Sequence, residues 1–144
     1  MIVRAARLRA SDRRLLIESL LWMAAVRAGL AFLPFPTVRR CLARIVGLAP
    51  SRDSSRAERI PWSIRVARRY LGGAASCLVQ ALSAQAMYAR GGVAAQLRLG
   101  VRRDSSGALL AHAWLERDGV VVLGGTRAYL SEFSDLAVIE GPEA

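Results

Sequence analysis

Apolar residues in this chain recur at helical spacing up to Gly91-Gly92 and alternate with polar ones immediately afterwards, so the two halves call for different backbones. Ser11–Leu30 reads as an amphipathic helix, with Ser11 or Asp12 as its cap, Gly29 near its end, and Leu15, Leu16, Leu20, Met23 and Val26 on one face. Pro34 and Pro36 interrupt the chain, and a second helix runs from Thr37 to Val46. Ala49–Arg56, with Pro50, three serines and Asp53, has the composition of a linker. A third helix spans Ile60–Leu71, where Trp62, Val66 and Tyr70 stand four residues apart. Gly72-Gly73-Ala74-Ala75 cannot comfortably continue it, and a fourth helix runs from Ser76 or Cys77 to about Arg90.

Beyond the glycines, Ala95, Leu97, Leu99 and Val101 alternate with Gln96, Arg98, Gly100 and Arg102, as in a half-buried strand. Asp104-Ser105-Ser106-Gly107 is a turn, Leu109–Arg117 a second strand, Asp118-Gly119 a two-residue hairpin turn, and Val120–Leu123 a third strand. The fold class expected is therefore α+β, a helical first half followed by a small antiparallel sheet. Residues 1–56 form a helical N-terminal region and 57–144 the core, in one compact unit.

Composition narrows the function classes. Hydrophobic residues make up 53% of the 144, which excludes intrinsic disorder. Two cysteines, Cys41 and Cys77, do not make a disulfide framework, and a reducing cytoplasm is the natural setting. The net charge of +10 comes from 21 basic residues, all arginine. They are scattered without a basic run or an aromatic stacking motif, so an acidic peptide or protein surface is preferred over nucleic acid as the partner. The arginine-rich start, with Asp12, is unlike a secretory signal. Tyr70–Ala89 is uncharged over 20 residues, but its glycines, serines and glutamines mark a loop and a buried helix, and no membrane span is expected. No cofactor or metal is called for.

The chemistry-bearing pair is Cys77 and His112, the only histidine, 35 residues apart across helix, strand and strand. A thiol needs an imidazole to act as a nucleophile at neutral pH. Ser76 is a good helix cap, and the free N–H groups of the first turn favour negative charge on sulfur and can receive the oxyanion of a tetrahedral intermediate. Cys41 lies in an amphipathic stretch without polar partners and reads as packing.

The stretch from Cys77 to Gly125 resembles the lasso-peptide leader peptidases of the transglutaminase-like cysteine protease superfamily. Three segments carry the resemblance: Cys77-Leu78 with Gln80-Ala81-Leu82; Gly91-Gly92 with Leu97-Arg98-Leu99-Gly100-Val101; and Ala111-His112-Ala113-Trp114-Leu115-Glu116 before Asp118-Gly119. Trp62–Arg69 looks like the family's preceding helix. The resemblance implies a papain/transglutaminase-like core whose nucleophile helix packs on the sheet, with Cys77 and His112 catalytic. It implies a cysteine endopeptidase that cuts a leader from a ribosomally made precursor peptide, often one residue beyond a threonine. The implied partners are that precursor, a small leader-binding protein docking on residues 1–56, and an ATP-dependent cyclase. A transglutaminase-like acyltransferase and an inactive basic peptide-binding module are the alternatives.

The family's aspartate corresponds here to Gly124 or its neighbour. Pairing Arg117 with Val120 sets His112 opposite Gly125, so whatever orients the imidazole should sit at 124 or 125, both glycine. A backbone carbonyl or a water could serve. Among carboxylates, Asp118 suits a turn tip about 20 Å from His112, Glu116 points about 13 Å along the strand, and Asp135 serves only if the C-terminal segment folds back. Trp114 shares the face of His112, where it could shield the pair, line a pocket or pack in the core.

Overall fold

In a computed structural model, residues 8–48 and 54–141 are described. Helix α1 spans Ala10–Phe32 and α2 spans Phe35–Leu48. A 3-10 turn, Ser54–Arg59, leads into α3 (Ile60–Leu71), and a second, Gly72–Ala74, into α4 (Cys77–Arg90). Strands β1 (Gln96–Arg103), β2 (Leu109–Arg117) and β3 (Val120–Leu123) follow, then a short helix α5 (Arg127–Leu130) and β4 (Ser134–Glu140). The sheet is antiparallel in the order β3-β2-β1-β4. The α+β arrangement expected from the change of period is the one observed.

Helix α4 is the centre of the molecule. From Ala81 to Ala89 every residue is buried, which the absence of any charge between Cys77 and Ala89 permits. It packs against α1, α2 and α3 on one side and against Ala113 and Leu115 of β2 on the other. Gln85, buried within it, donates to Ala95 O and Ile139 O, both at 3.0 Å, so one amide ties α4 to the strand β4. Where α1 crosses, Ser19 Oγ donates to Ser63 Oγ of α3 at 2.7 Å, and Glu18 binds both Arg56 and Arg90. The phenol of Tyr88 is pushed up to about 12, first by burial, with Glu58 adding to the shift and Arg117 and Arg65 opposing it.

Several boundaries and faces differ from expectation. Helix α1 starts one residue before Ser11, with Arg9 at its cap and no side-chain cap bond, and passes Gly29 to end at Phe32. Gly29 does not end the helix; Val38 of α2 packs 3.4 Å from where its Cβ would stand. Nor is α1 cleanly amphipathic, because Ile17 and Leu21 are exposed while Leu15 and Leu16 are buried. It is the one described helix long and apolar enough to cross a membrane by length and composition. In the fold, its buried stripe packs on α3 and α4. On α3 the buried residues are Ile60, Pro61, Ser63, Ile64, Val66 and Ala67; of the expected set Val66 is buried, Trp62 half-buried and Tyr70 exposed. Cys41, expected to pack, is exposed. Of the expected linker, residues 49–53 lie outside the described residues, and the remainder opens the 3-10 turn.

The sheet adds β4 and α5, which the period did not reveal. Its two turns are as expected: Asp104 Oδ1 accepts from Ser106 N, Ser106 Oγ and Ala108 N, and Asp118-Gly119 has φ of 52° and 75°, a hairpin pair of left-handed residues. The hydrogen bonds from Ser106 and Ala108 hold the Asp104 carboxyl below its ordinary range. Gly100 sits where a Cβ would meet Trp114 at 2.8 Å and Phe133 at 2.9 Å.

Two measurements test this packing. Gly100→Ala forces Trp114 or Phe133 to move and should lower stability by about 1–3 kcal/mol in urea denaturation. Because its proton is held more tightly in the folded state, Tyr88 contributes stability that is intact below about pH 10 and is lost as pH rises through about 12. Ultraviolet titration should therefore show one tyrosine ionising together with alkaline unfolding.

Candidate active site

Cys77 is the first residue of α4, where the sequence signals put it. Ser76 caps the helix, its Oγ accepting from Val79 N at 3.2 Å, which leaves the N–H groups of Cys77 and Leu78 outside the intrahelical ladder. Gln80, one turn on, donates to Ala75 O at 2.8 Å and pins the approach to the helix. The thiol is half-buried.

His112 is in β2, opposite Gly100 of β1. Alternation along β2 turns Ala113 and Leu115 toward α4, and His112, Trp114 and Glu116 toward the other face. There the imidazole lies among aromatic rings: Trp114 stacks at 6.2 Å, Phe133 at 5.4 Å, and Tyr129 meets it edge-on at 5.9 Å. Tyr129 and Phe133 come from α5 and the turn after it, and no spacing in the sequence announced them. Trp114 is a core residue of this second cluster, with Leu130 and Phe133.

The hairpin register departs from the simple count at one point. Arg117 pairs with Val120 and Glu116 with Val121, but a bulge then pairs Leu115 with Leu123. The β2–β3 pairing stops there, so β2 from Trp114 back to Leu109 has no partner strand on that side among the described residues, and the chain leaves through Gly124 and Gly125. Around this open end lies a cavity of about 530 Å³, lined from α4 by Cys77 and Gln80, from β2 by His112, from the β3 exit by Gly124, and from α3 by Arg65 and Arg68. The structure thus brings the two expected residues to one cavity. Among the described residues no hydrogen bond joins the thiol to the ring.

The ring is oriented by the backbone. Its Nε2 lies 2.6 Å from Gly124 O. A carbonyl only accepts, so Nε2 carries the proton in this contact and Nδ1 keeps the lone pair of the neutral ring. Gly124 is held at φ +109°, and a Cβ there would stand 2.5 Å from Trp114 Cβ, so this position admits no side chain. The three candidate carboxylates are engaged elsewhere. Asp118 is at the hairpin tip, Glu116 accepts from Arg98 at 3.0 Å and from Trp114 Nε1 at 3.1 Å, and Asp135, which does return with β4, pairs with Arg98 at 3.3 Å.

With a single histidine, the imidazole nitrogens give one unambiguous NMR signature. At alkaline pH, where the ring is neutral, ¹H–¹⁵N correlation should find the Nε2–H tautomer dominant. Gly124→Ala, strained at positive φ and driven into Trp114, should erode that preference and cost about 1–3 kcal/mol of stability. An unchanged tautomer ratio in that variant would mean that Gly124 O does not hold the ring.

Among the described residues no three His, Cys, Asp or Glu side chains gather where a cation could be held. No curated protein and no solved structure matches the chain. The sequence profile of the transglutaminase-like superfamily matches residues 20–138, from within α1 to within β4. That range takes in α4 with Cys77, β2 with His112 and the glycine exit of β3, and it covers more than half of the sequence. The chain belongs to the transglutaminase-like superfamily.

Proposed function

We propose that the protein is a cysteine endopeptidase that removes the leader from a ribosomally made lasso precursor peptide. The observation that carries this reading is that the cysteine opening α4 and the only histidine line one cavity in a chain of this superfamily. The superfamily is compatible with both cysteine proteases and acyltransferases; the leader-peptidase reading adds the motif resemblance of Cys77–Gly125. Its setting is the cytoplasm, and its partners are the precursor, a small leader-binding protein and an ATP-dependent cyclase that closes the ring.

The chemistry follows from the atoms at hand. Nδ1 of His112 takes the thiol proton, Cys77 Sγ attacks the scissile carbonyl carbon, and the oxyanion is received by the Cys77 and Leu78 N–H groups. The C–N bond breaks as the imidazolium returns the proton to the leaving amine, leaving an acyl thioester on Cys77. Water activated by the same nitrogen then hydrolyses the thioester and frees the thiol. For this, the ring keeps Nε2 near Gly124 O and swings Nδ1 toward the sulfur, a closure of the kind that catalytic hydrogen bonds undergo on substrate binding. Gly124 O supplies the orientation that a carboxylate supplies elsewhere in the family.

Helices α1 and α2 and the connection between them present Ile17, Leu21, Phe32, Leu33, Ile45 and Leu48 to solvent, an apolar surface suited to the leader-binding partner. In the acyltransferase reading, an amine replaces water at the thioester; the absence of a carboxylate partner on His112 among the described residues gives that reading its weight.

Incubating the protein with its precursor and leader-binding partner, then weighing the products, separates the readings. Two fragments whose masses sum to the precursor plus water mean hydrolysis, and a mass shift without scission means transfer. Cys77→Ala and His112→Ala should each lower cleavage by at least about a thousand-fold while the fold is kept, and Cys41→Ala should leave it unchanged. Cleavage by Cys77→Ala at the wild-type rate would end the proposal. Adding the partner should raise the rate of the wild-type enzyme; an equal rate without it would remove the docking role of α1 and α2.

A further inference from the structure

We infer that Arg65 and Arg68 form a carboxylate-binding subsite beside Cys77, so that the cavity takes a peptide carrying an acidic group near the bond under attack. This rests on the reading of Cys77 as the reacting thiol and names the substrate chemistry of that site.

Both arginines stand one turn apart on α3, exposed, and both line the cavity that holds Cys77 and His112. Among the described residues no aspartate or glutamate lines it. The described carboxylates are engaged elsewhere: Asp12 with Arg59, Glu18 with Arg56 and Arg90, Glu58 and Asp118 with Arg117, Glu116 and Asp135 with Arg98, Glu132 with Arg102. Asp104 is bound in its own turn, and Glu140 accepts from Gln96. Glu58, which like Arg65 acts on Tyr88, is thus taken by Arg117 at 3.4 Å. Among the described residues, then, the protein has surplus arginine where a substrate would lie and no acid of its own to neutralise it. Two guanidinium groups on one wall suit the forked geometry of a carboxylate. Ala113, Val122 and Leu123 give the same cavity an apolar part of its lining.

The test uses the thiol as a reporter. Iodoacetate and iodoacetamide alkylate sulfur by the same displacement of iodide, but only iodoacetate brings a carboxylate. For Cys77 in the full chain, the rate ratio of iodoacetate to iodoacetamide should fall roughly three- to ten-fold on going from wild type to Arg65→Gln/Arg68→Gln, the scale of two partly exposed charge pairs. Each single variant should give part of the fall. Arg69→Gln, which removes a charge from the same helix outside the cavity, should leave the ratio unchanged. A flat ratio across Arg65→Gln and Arg68→Gln, or an equal fall in Arg69→Gln, overturns the subsite.

Blocked peptides then identify the source of the carboxylate by protecting Cys77 from iodoacetamide. Protection by an acetylated, amidated peptide with one glutamate, but not its glutamine counterpart, assigns an acidic side chain. Protection by a peptide with a free C-terminus and no acidic side chain assigns the terminal carboxylate. Protection by neither overturns a peptide carboxylate as the ligand. Failure of this subsite is distinguishable from failure of the peptidase reading. A flat ratio with Cys77→Ala inactive sinks the subsite alone, and a responsive ratio with Cys77→Ala active sinks the nucleophile alone.

Discussion

The rest of the structure depends on the burial of α4 between the helical layer and the sheet. A helix can be enclosed on nearly all sides only if it brings no charge inward and no bulk that keeps its neighbours apart. The run from Ala81 to Ala89 carries no charge and sets one large ring, Tyr88, among alanines at 81, 84, 86 and 89, with the apolar Leu82 and Met87 and a glutamine whose amide bonds to two strand-associated carbonyls. Each large side chain fully buried here contributes about 1.5–3 kcal/mol. Ser83 Oγ is the one group in this run left without a partner among the described residues. Because the centre of α4 is immobilised on every side, its first turn, with Cys77, is held at a defined position on the surface.

The end of the short strand β3 has the complementary role. A bulge and two glycines stop the pairing with β2 at Leu115, and the gap that results is the cavity. The same glycine that ends the strand at φ +109° also turns its carbonyl to His112. One local backbone feature therefore opens the site and fixes the tautomer of its only histidine. The rings of Trp114, Tyr129 and Phe133 pack around the imidazole, and Arg102 covers that cluster from outside, 5.2 Å from Phe133 and 5.4 Å from Tyr129.

Charge is distributed unevenly over this frame. Salt bridges between α1 and the 3-10 turn before α3, and across β1, β2 and β4, use up the acidic side chains, and most are exposed enough to contribute less than about 1 kcal/mol each. What they decide is where positive charge is left over, and part of it lies on the α3 wall of the cavity.

How much of this was legible in the sequence differs by element. Helices α3 and α4, strands β2 and β3 and both hairpin turns could be read to within about a residue, because local rules set them: glycines stop α3, Ser76 caps α4, and Asp118-Gly119 prefers a left-handed turn. Cys77 and His112 were visible for the same reason, as a cysteine at a helix start and a histidine on a regular strand. Strand β4 was not, since its exposed Leu136 and Val138 give it no one-sided pattern and it exists by pairing with β1. The surplus of Cys41's exposure over its expected packing, and the buried stripe of α3, likewise follow from which neighbour arrives, not from local spacing. The sequence by itself determined the four long helices, the first three strands, the turn chemistry and the two reactive side chains, since those depend on contacts a few residues apart. Only the tertiary structure decided that a bulge would shift the hairpin, that a glycine carbonyl would stand where a carboxylate was sought, and that two arginines of α3 would line the cavity of the thiol, because each of these is set by how the elements pack and not by the local pattern.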